Sequence, residues 1–197
     1  MEHIVTFTGE RFTPLEPDIN QIHIEDIAHS LSLLCRANGH INHFFSIARH
    51  CINCATEAKQ RSYSLRVQLA CLIHNASEAY ISDVTRPVKF YLSEYKVIEQ
   101  RLQDLIYTRF LGVPLYEDEF MLVDKIDNDM LAYELNALMK DKNIFNTIPA
   151  LMSTPVLKSD NFEEVESTFL KVYYGIMHAG LIQSKNVFTA TEEQKYL

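Results

Sequence analysis

Residues 69–89 read LACLIHNASEAYISDVTRPVK, and the whole chain is organised around them. Leu69, Leu72, Ile73 and Ala76 recur at three- and four-residue spacing, which predicts a helix with one buried face running from Ser64 to Tyr80. On such a helix His74 and Glu78 stand one turn apart and share a face. Asp83 then falls on a loop, and Pro87 marks an irregular turn or a new helix start. A histidine and a carboxylate at the wet end of a core helix form a metal site, an acid–base site or a buried polar pair. These residues alone leave all three open.

The rest of the chain narrows the choice. With 197 residues, 47% hydrophobic content, 5 glycines and 6 prolines, the composition predicts one helical domain over residues 1–197 with a sizeable core. No apolar run reaches membrane-spanning length, and MEHIVTFTGERF lacks the basic and apolar regions of a signal peptide, so the expectation is a cytosolic protein without a membrane partner. A net charge of −8 and no dense run of Lys or Arg argue against long nucleic acid as a partner. A small phosphorylated ligand stays open, because a metal ion supplies positive charge locally. Cys51 and Cys54 form a CxxC, yet in mid-helix with no second CxxC two thiols more often pack as small apolar groups.

In chain order, residues 4–17 predict a short hairpin or extended arm. A first helix is expected to begin at Asp26 within IEDIAHSLSLLCRA, with Ile27, Leu31 and Leu34 inward and Gly39 as its stop. A second begins near Asn42 and carries FFSIARHCINCATEA, with His50 at the border of its apolar stripe. Further helices are expected over 91–111, with Val97, Leu102, Leu105 and Ile106 inward, over 120–140, and over 162–182, followed by a frayed tail to Leu197. In the helix over 120–140, Leu122, Val123, Ile126, Met130 and Leu131 make the core stripe and Asp127 lies beside it. The fold class is therefore an all-α bundle of about six or seven helices with a short N-terminal arm.

His50, His74 and Asp127 come from three different helices, the way a bundle builds a metal site from inward-projecting side chains. Imidazole with carboxylate suits zinc, cobalt, manganese, nickel or iron and matches calcium poorly. Asp124 and Asp129 flank Asp127 but point away from it by roughly 300° and 200° at 100° per residue, which predicts that at most one of the three faces a site. His29, His40 and His43 near Arg36 read as helix caps or wet surface, and His178 as structural.

The H…HD…D order, with the block HDxxExxxxD at its centre, resembles the HD-domain metal-dependent phosphohydrolases. The blocks DIAHSLSLLCRANGH, FFSIARHC, LIHNASEAYISDVTRPVK and VDKIDNDMLAYE occur in the family's order, over roughly 12–138, and are most similar to the bacterial deoxynucleotide 5′-phosphatase branch and its small relatives. An enzyme stripping phosphates from an oxetanocin-A precursor belongs to the same broad kind. The resemblance implies one divalent ion (cobalt, manganese, magnesium, zinc, nickel or iron) held by His50, His74, position 75 and Asp127. It implies Glu78 as the carboxylate orienting water, Asp83 as the proton donor to the leaving oxygen, and Arg36 and Lys89 as contacts to phosphate or sugar. The implied substrate is a small nucleotide, most simply a deoxynucleoside or nucleoside-analogue phosphate. A homodimer is left open.

One residue departs from the pattern. Asn75 stands where the family has Asp, keeping a carbonyl donor but losing the negative charge. An engineered Asp→Asn change, a natural loss of catalysis and a working natural variant all account for it, and the intact remainder of the set favours the first. The alternative functions are an inactive module that binds nucleotide as sensor or scaffold, and a helical interaction protein whose polar core is structural.

Overall fold

The computed structural model describes residues 2–142, 144–159 and 161–193. It is an all-α bundle with a two-stranded ribbon at its N-terminal end. β1 (Ile4–Val5) and β2 (Arg11–Phe12) pair antiparallel, Ile4 opposite Phe12. The turn between them is tied to the bundle because Asp26 accepts from the Thr8 amide at 2.7 Å and the Thr8 hydroxyl at 2.9 Å.

The helices are α1 (Ile24–Leu33), α2 (Ile47–Gln60), α3 (Leu65–Ile73), α4 (Glu78–Ile81), α5 (Arg86–Lys89), α6 (Ser93–Leu111), α7 (Glu117–Leu138) and α8 (Phe162–Glu193). Six are long and α4 and α5 are single turns, which agrees with the expected all-α architecture. α2 and α3 pack along each other at the centre, α8 lies across α1, α2 and α3, and α7 closes the other side. Ile27, Leu31, Ile47, Leu72, Ile73, Leu102, Ile106, Ile126 and Phe169 are fully buried between these layers. Among the described residues no helix is long and apolar enough to cross a membrane.

Several expected boundaries move, each for a local reason. α1 begins at Ile24 rather than Asp26 and stops at Leu33 rather than running to Gly39. The backbone beyond it pairs with a distant segment instead: the Arg36 amide donates to Phe45 and the Ile47 amide to Leu34. That bridge keeps Phe44 and Phe45 out of α2, which starts at Ile47 with Ser46 as its cap. α6 starts at Ser93, and Val97, expected inward, is 69% exposed because that end of α6 runs beside α5 rather than under the core. α7 spans Glu117–Leu138 rather than 120–140. α8 continues past Ile182 to Glu193, and residues 194–197 of the expected tail lie outside the described residues.

The consequential correction is in the central stretch. The helix expected over Ser64–Tyr80 is two helices, α3 and α4, separated at residues 74–77. Such a break strands backbone groups that must find partners. Gln103 of α6 supplies them: its side-chain oxygen accepts from the Ser77 amide at 3.0 Å and its nitrogen donates to the Ile73 carbonyl at 2.9 Å. A buried glutamine reaching in from another helix was not foreseeable from the period of the apolar residues.

Candidate metal centre

The break decides what the site looks like. His74 caps the C-terminus of α3, Asn75 sits in the turn and Glu78 opens α4, so His74 and Glu78 do not share a continuous helical face as expected. α2 brings His50, fully buried, and α7 brings Asp127. The Oδ1 atom of Asp127 lies 2.9 Å from His50 Nε2 and 3.5 Å from His74 Nε2. The structure thus gathers His50, His74 and Asp127, with Asn75 beside them on the wall of one cleft.

The far side of each imidazole is engaged. His74 Nδ1 donates to the Cys71 carbonyl at 2.8 Å, which leaves Nε2 as its inward atom. That Nε2 is buried with no hydrogen-bond partner. His50 Nδ1 donates to Glu134 Oε2 at 2.7 Å. Glu134 is itself held by Asn53, whose amide donates to Oε1 at 2.9 Å, and Asn53 in turn exchanges hydrogen bonds with the backbone of Val156. A carboxylate behind a histidine fixes its ring and raises its basicity, the usual support of a metal-ligating imidazole.

The electrostatics show the same demand for positive charge. Burial opposes the charged form of His74, but Cys51 and Asp127 outweigh it and push the ring up to about 10. Burial and Arg36 oppose charge on His50, and Glu134 and Asp127 still raise it. Burial raises Asp127, yet the hydrogen bond from His50 and the close His74 ring hold it well below the usual carboxylate range. Two inward nitrogens facing one carboxylate suit either protonated rings or a cation between them. His50, Cys54 and His74 bring three donor atoms to within 4.8 Å of one another, and this buried cluster is able to hold a metal ion.

Around it lies a cleft of about 210 Å³ whose wall includes His74, Asn75, Glu78, Lys89, Asp124 and Asp127. Glu78 is 6% exposed, and burial with the nearby charge of Asp83 lifts its carboxyl to about 7. Asp83 follows Ser82, whose φ of 65° is left-handed, and Tyr95 donates to the Ser82 carbonyl at 2.7 Å. A non-glycine residue held there costs roughly 1–3 kcal/mol, so the loop is over-determined by its neighbours. Arg36 is half-buried, and although burial disfavours its charge, Glu134, Asp127 and Glu78 outweigh that and raise it further. Lys89 lines the cleft but is bound to Glu99 at 2.6 Å, so its charge is partly spent before any ligand arrives.

Asp124, expected to point away, shares the cleft wall with Asp127, because residues three apart on a helix differ by only about 60°. Asp129 does face away, towards Arg61 and Lys125. His29 pairs with Glu166, His43 reaches the Leu157 carbonyl, and His40 and His178 are exposed, all outside the cluster. Sequence reasoning missed Glu134, one heptad after Asp127, and Cys54, one turn after His50. The spacing of both was legible, but an acidic residue and a thiol in apolar stripes read as packing. It also missed Arg86, whose Nη2 lies 3.5 Å from Asp127 Oδ2.

Fold and cleft together define an all-α bundle with a buried histidine–carboxylate cluster at a helix break. No protein-family model matches the chain. It is 33% identical over 161 residues to the uncharacterized protein YfdR of Escherichia coli, an alignment covering 82% of this chain and 85% of that protein. It is 32% identical over 112 residues to an uncharacterized protein of Rhodobacter capsulatus, covering 54% of this chain and 57% of that protein. The chain belongs to the family of YfdR.

Proposed function

We propose that this protein is an HD-type metal-dependent phosphohydrolase acting on a small nucleotide, most simply a deoxynucleoside monophosphate. The observation that carries the reading is the pairing of a convergent His50–His74–Asp127 cluster with the buried, proton-retaining Glu78 beside it. The buried, unpartnered Nε2 of His74 and the anionic surroundings fit a divalent ion held by His50, His74 and Asp127, with the Asn75 carbonyl in reach of the same cleft. Such an ion supplies Lewis acidity towards a phosphoryl group and makes water nucleophilic at neutral pH.

The remaining roles belong to the chain. Glu78, poised near neutrality, accepts the proton of the attacking water. Asp83, on the loop fixed through Ser82 and Tyr95, returns a proton to the departing ester oxygen. Arg36 faces the acidic cluster and offers a fork for phosphate oxygens, while Lys89 contributes once its ion pair with Glu99 loosens. The overall charge of −8 keeps long nucleic acid away and leaves the cleft to small ligands.

A second reading, an inactive nucleotide-binding module, is favoured by Asn75 alone. Leaving-group dependence separates the two. On a nucleoside monophosphate, Glu78→Ala and Asp83→Ala should each slow turnover by about 10²-fold or more. On a nitrophenyl phosphate, which departs without a proton, the Asp83 variant should regain most of its rate and the Glu78 variant should not. Equal behaviour of both variants on both substrates would sink these roles, and no turnover under any loading would favour the inactive module.

A further inference from the structure

Asn75 gives the cleft wall a neutral donor, and a buried thiol stands beside the same histidines. One turn beyond His50 on α2, Cys54 is 1% exposed and its Sγ lies 3.6 Å from His50 Nε2. If the thiol were merely packed, its S–H would compete with Asp127 for a single imidazole nitrogen, because Asp127 Oδ1 already lies 2.9 Å from the same atom. Across the cluster His74 Nε2 is buried with no hydrogen-bond partner, Asp127 Oδ1 lying 3.5 Å away. A cation among these atoms resolves both conflicts at once.

The separations fit that occupant. Ligands at zinc–sulfur and zinc–nitrogen distances of about 2.3 and 2.05 Å in a tetrahedron lie about 3.6 Å apart, and nitrogen and oxygen ligands lie about 3.4 Å apart. Cys54 Sγ is 3.6 Å from His50 Nε2, and His74 Nε2 is 3.5 Å from Asp127 Oδ1. A third separation, His50 Nε2 to Asp127 Oδ1, is 2.9 Å, a hydrogen bond that would lengthen as an ion displaced its proton.

We propose that Cys54 is a metal ligand in this protein, its thiolate joining His50 and His74 beside Asp127 and supplying a negative charge where Asn75 offers only a neutral donor. This rests on the metal-dependent reading above and sharpens it, because a thiolate selects borderline and soft ions such as zinc, cobalt(II) or iron(II) over magnesium and manganese. As the ion binds, the thiol proton and the inward Nε2 protons of the two histidines leave to solvent, so metal loading releases protons. The mid-helix CxxC is then split in function, since Cys51 lies outside the group of donors that Cys54 shares with the two histidines.

The test uses the full chain stripped with a chelator and titrated with cobalt(II). The unaltered protein should show a near-ultraviolet thiolate-to-cobalt charge-transfer band at one ion per chain. Cys54→Ser should lose the band, while Cys51→Ala and Cys71→Ala keep it. Competition with a chelator should show cobalt or zinc held at least ~100-fold more weakly by Cys54→Ser. Circular dichroism checks that the variant is folded, and the spectrum of the unaltered chain needs no variant. Stoichiometric cobalt without the band, or a band that survives Cys54→Ser, would overturn the thiolate ligand and leave the metal-dependent reading standing. A chain that binds no cobalt at all would overturn both.

Discussion

Replacing Glu78 by glutamine should make the metal-free protein more stable, increasingly so as pH rises from about 4.5 to about 7 and fully above it. Glu78 is 6% exposed, its Oε2 has no hydrogen-bond partner, and its carboxyl titrates at about 7 against an ordinary value of 4.5. The folded pKa of this acid is raised, so its ionised form is penalised by folding. The penalty is absent below about pH 4.5, grows up to about pH 7 and is complete above it. The gap between those two values corresponds to about 3 kcal/mol at full ionisation. Glu78→Gln keeps the shape and removes the charge, so above pH 7 it should gain most of that, roughly 6–12 °C in melting temperature for a chain of this size. The assay is thermal or urea unfolding of both proteins at pH 5 and pH 8, with chelator present so that no ion compensates the carboxylate. A variant destabilised equally at both pH values would show that Glu78 ionises without penalty and would refute its role as a poised base. The gain would also mark Glu78 as a residue kept at the expense of stability.

Glu134→Gln should weaken metal binding by about 10–100-fold while leaving the donors themselves in place, because the neutral amide no longer raises the basicity of His50 through Nδ1; a metal-competition titration reads this directly. Gln103→Leu strands the Ser77 amide and removes one of the two hydrogen bonds to the Ile73 carbonyl, and should cost about 1–3 kcal/mol in urea unfolding, with the loss of metal affinity following from the loosened break. With Arg36 as the proposed phosphate contact, Arg36→Ala should weaken nucleotide binding by calorimetry and leave metal content unchanged.

Periodicity made the bundle legible because Ile27, Leu31, Leu72, Ile106 and Ile126 each repeat on one face of an element and are each buried. It could not reveal the division of the central helix, since residues 69–81 are apolar enough to continue and the interruption is held open by Gln103 from a helix distant in sequence. Phe44 and Phe45 misled in the same way: a long-range bridge to Leu34–Arg36 overrode local helix preference. At the site, His50, His74 and Asp127 were readable as polar residues beside apolar stripes. Glu134 and Cys54 were not, because the sequence does not say which buried carboxylate stands behind a histidine or which way a core sulfur points.

A single panel tests whether the protein releases phosphate from a nucleotide in a metal-dependent way. The chain as it stands and its Asn75→Asp variant, each loaded in turn with cobalt, manganese, zinc and magnesium, are incubated with nucleoside mono-, di- and triphosphates and the inorganic phosphate released is measured. Release from a nucleoside monophosphate is expected with at least one of these ions, abolished by chelator and by His74→Ala, and faster in the Asn75→Asp protein. No release by either protein with any ion, or release indifferent to chelator, would contradict it.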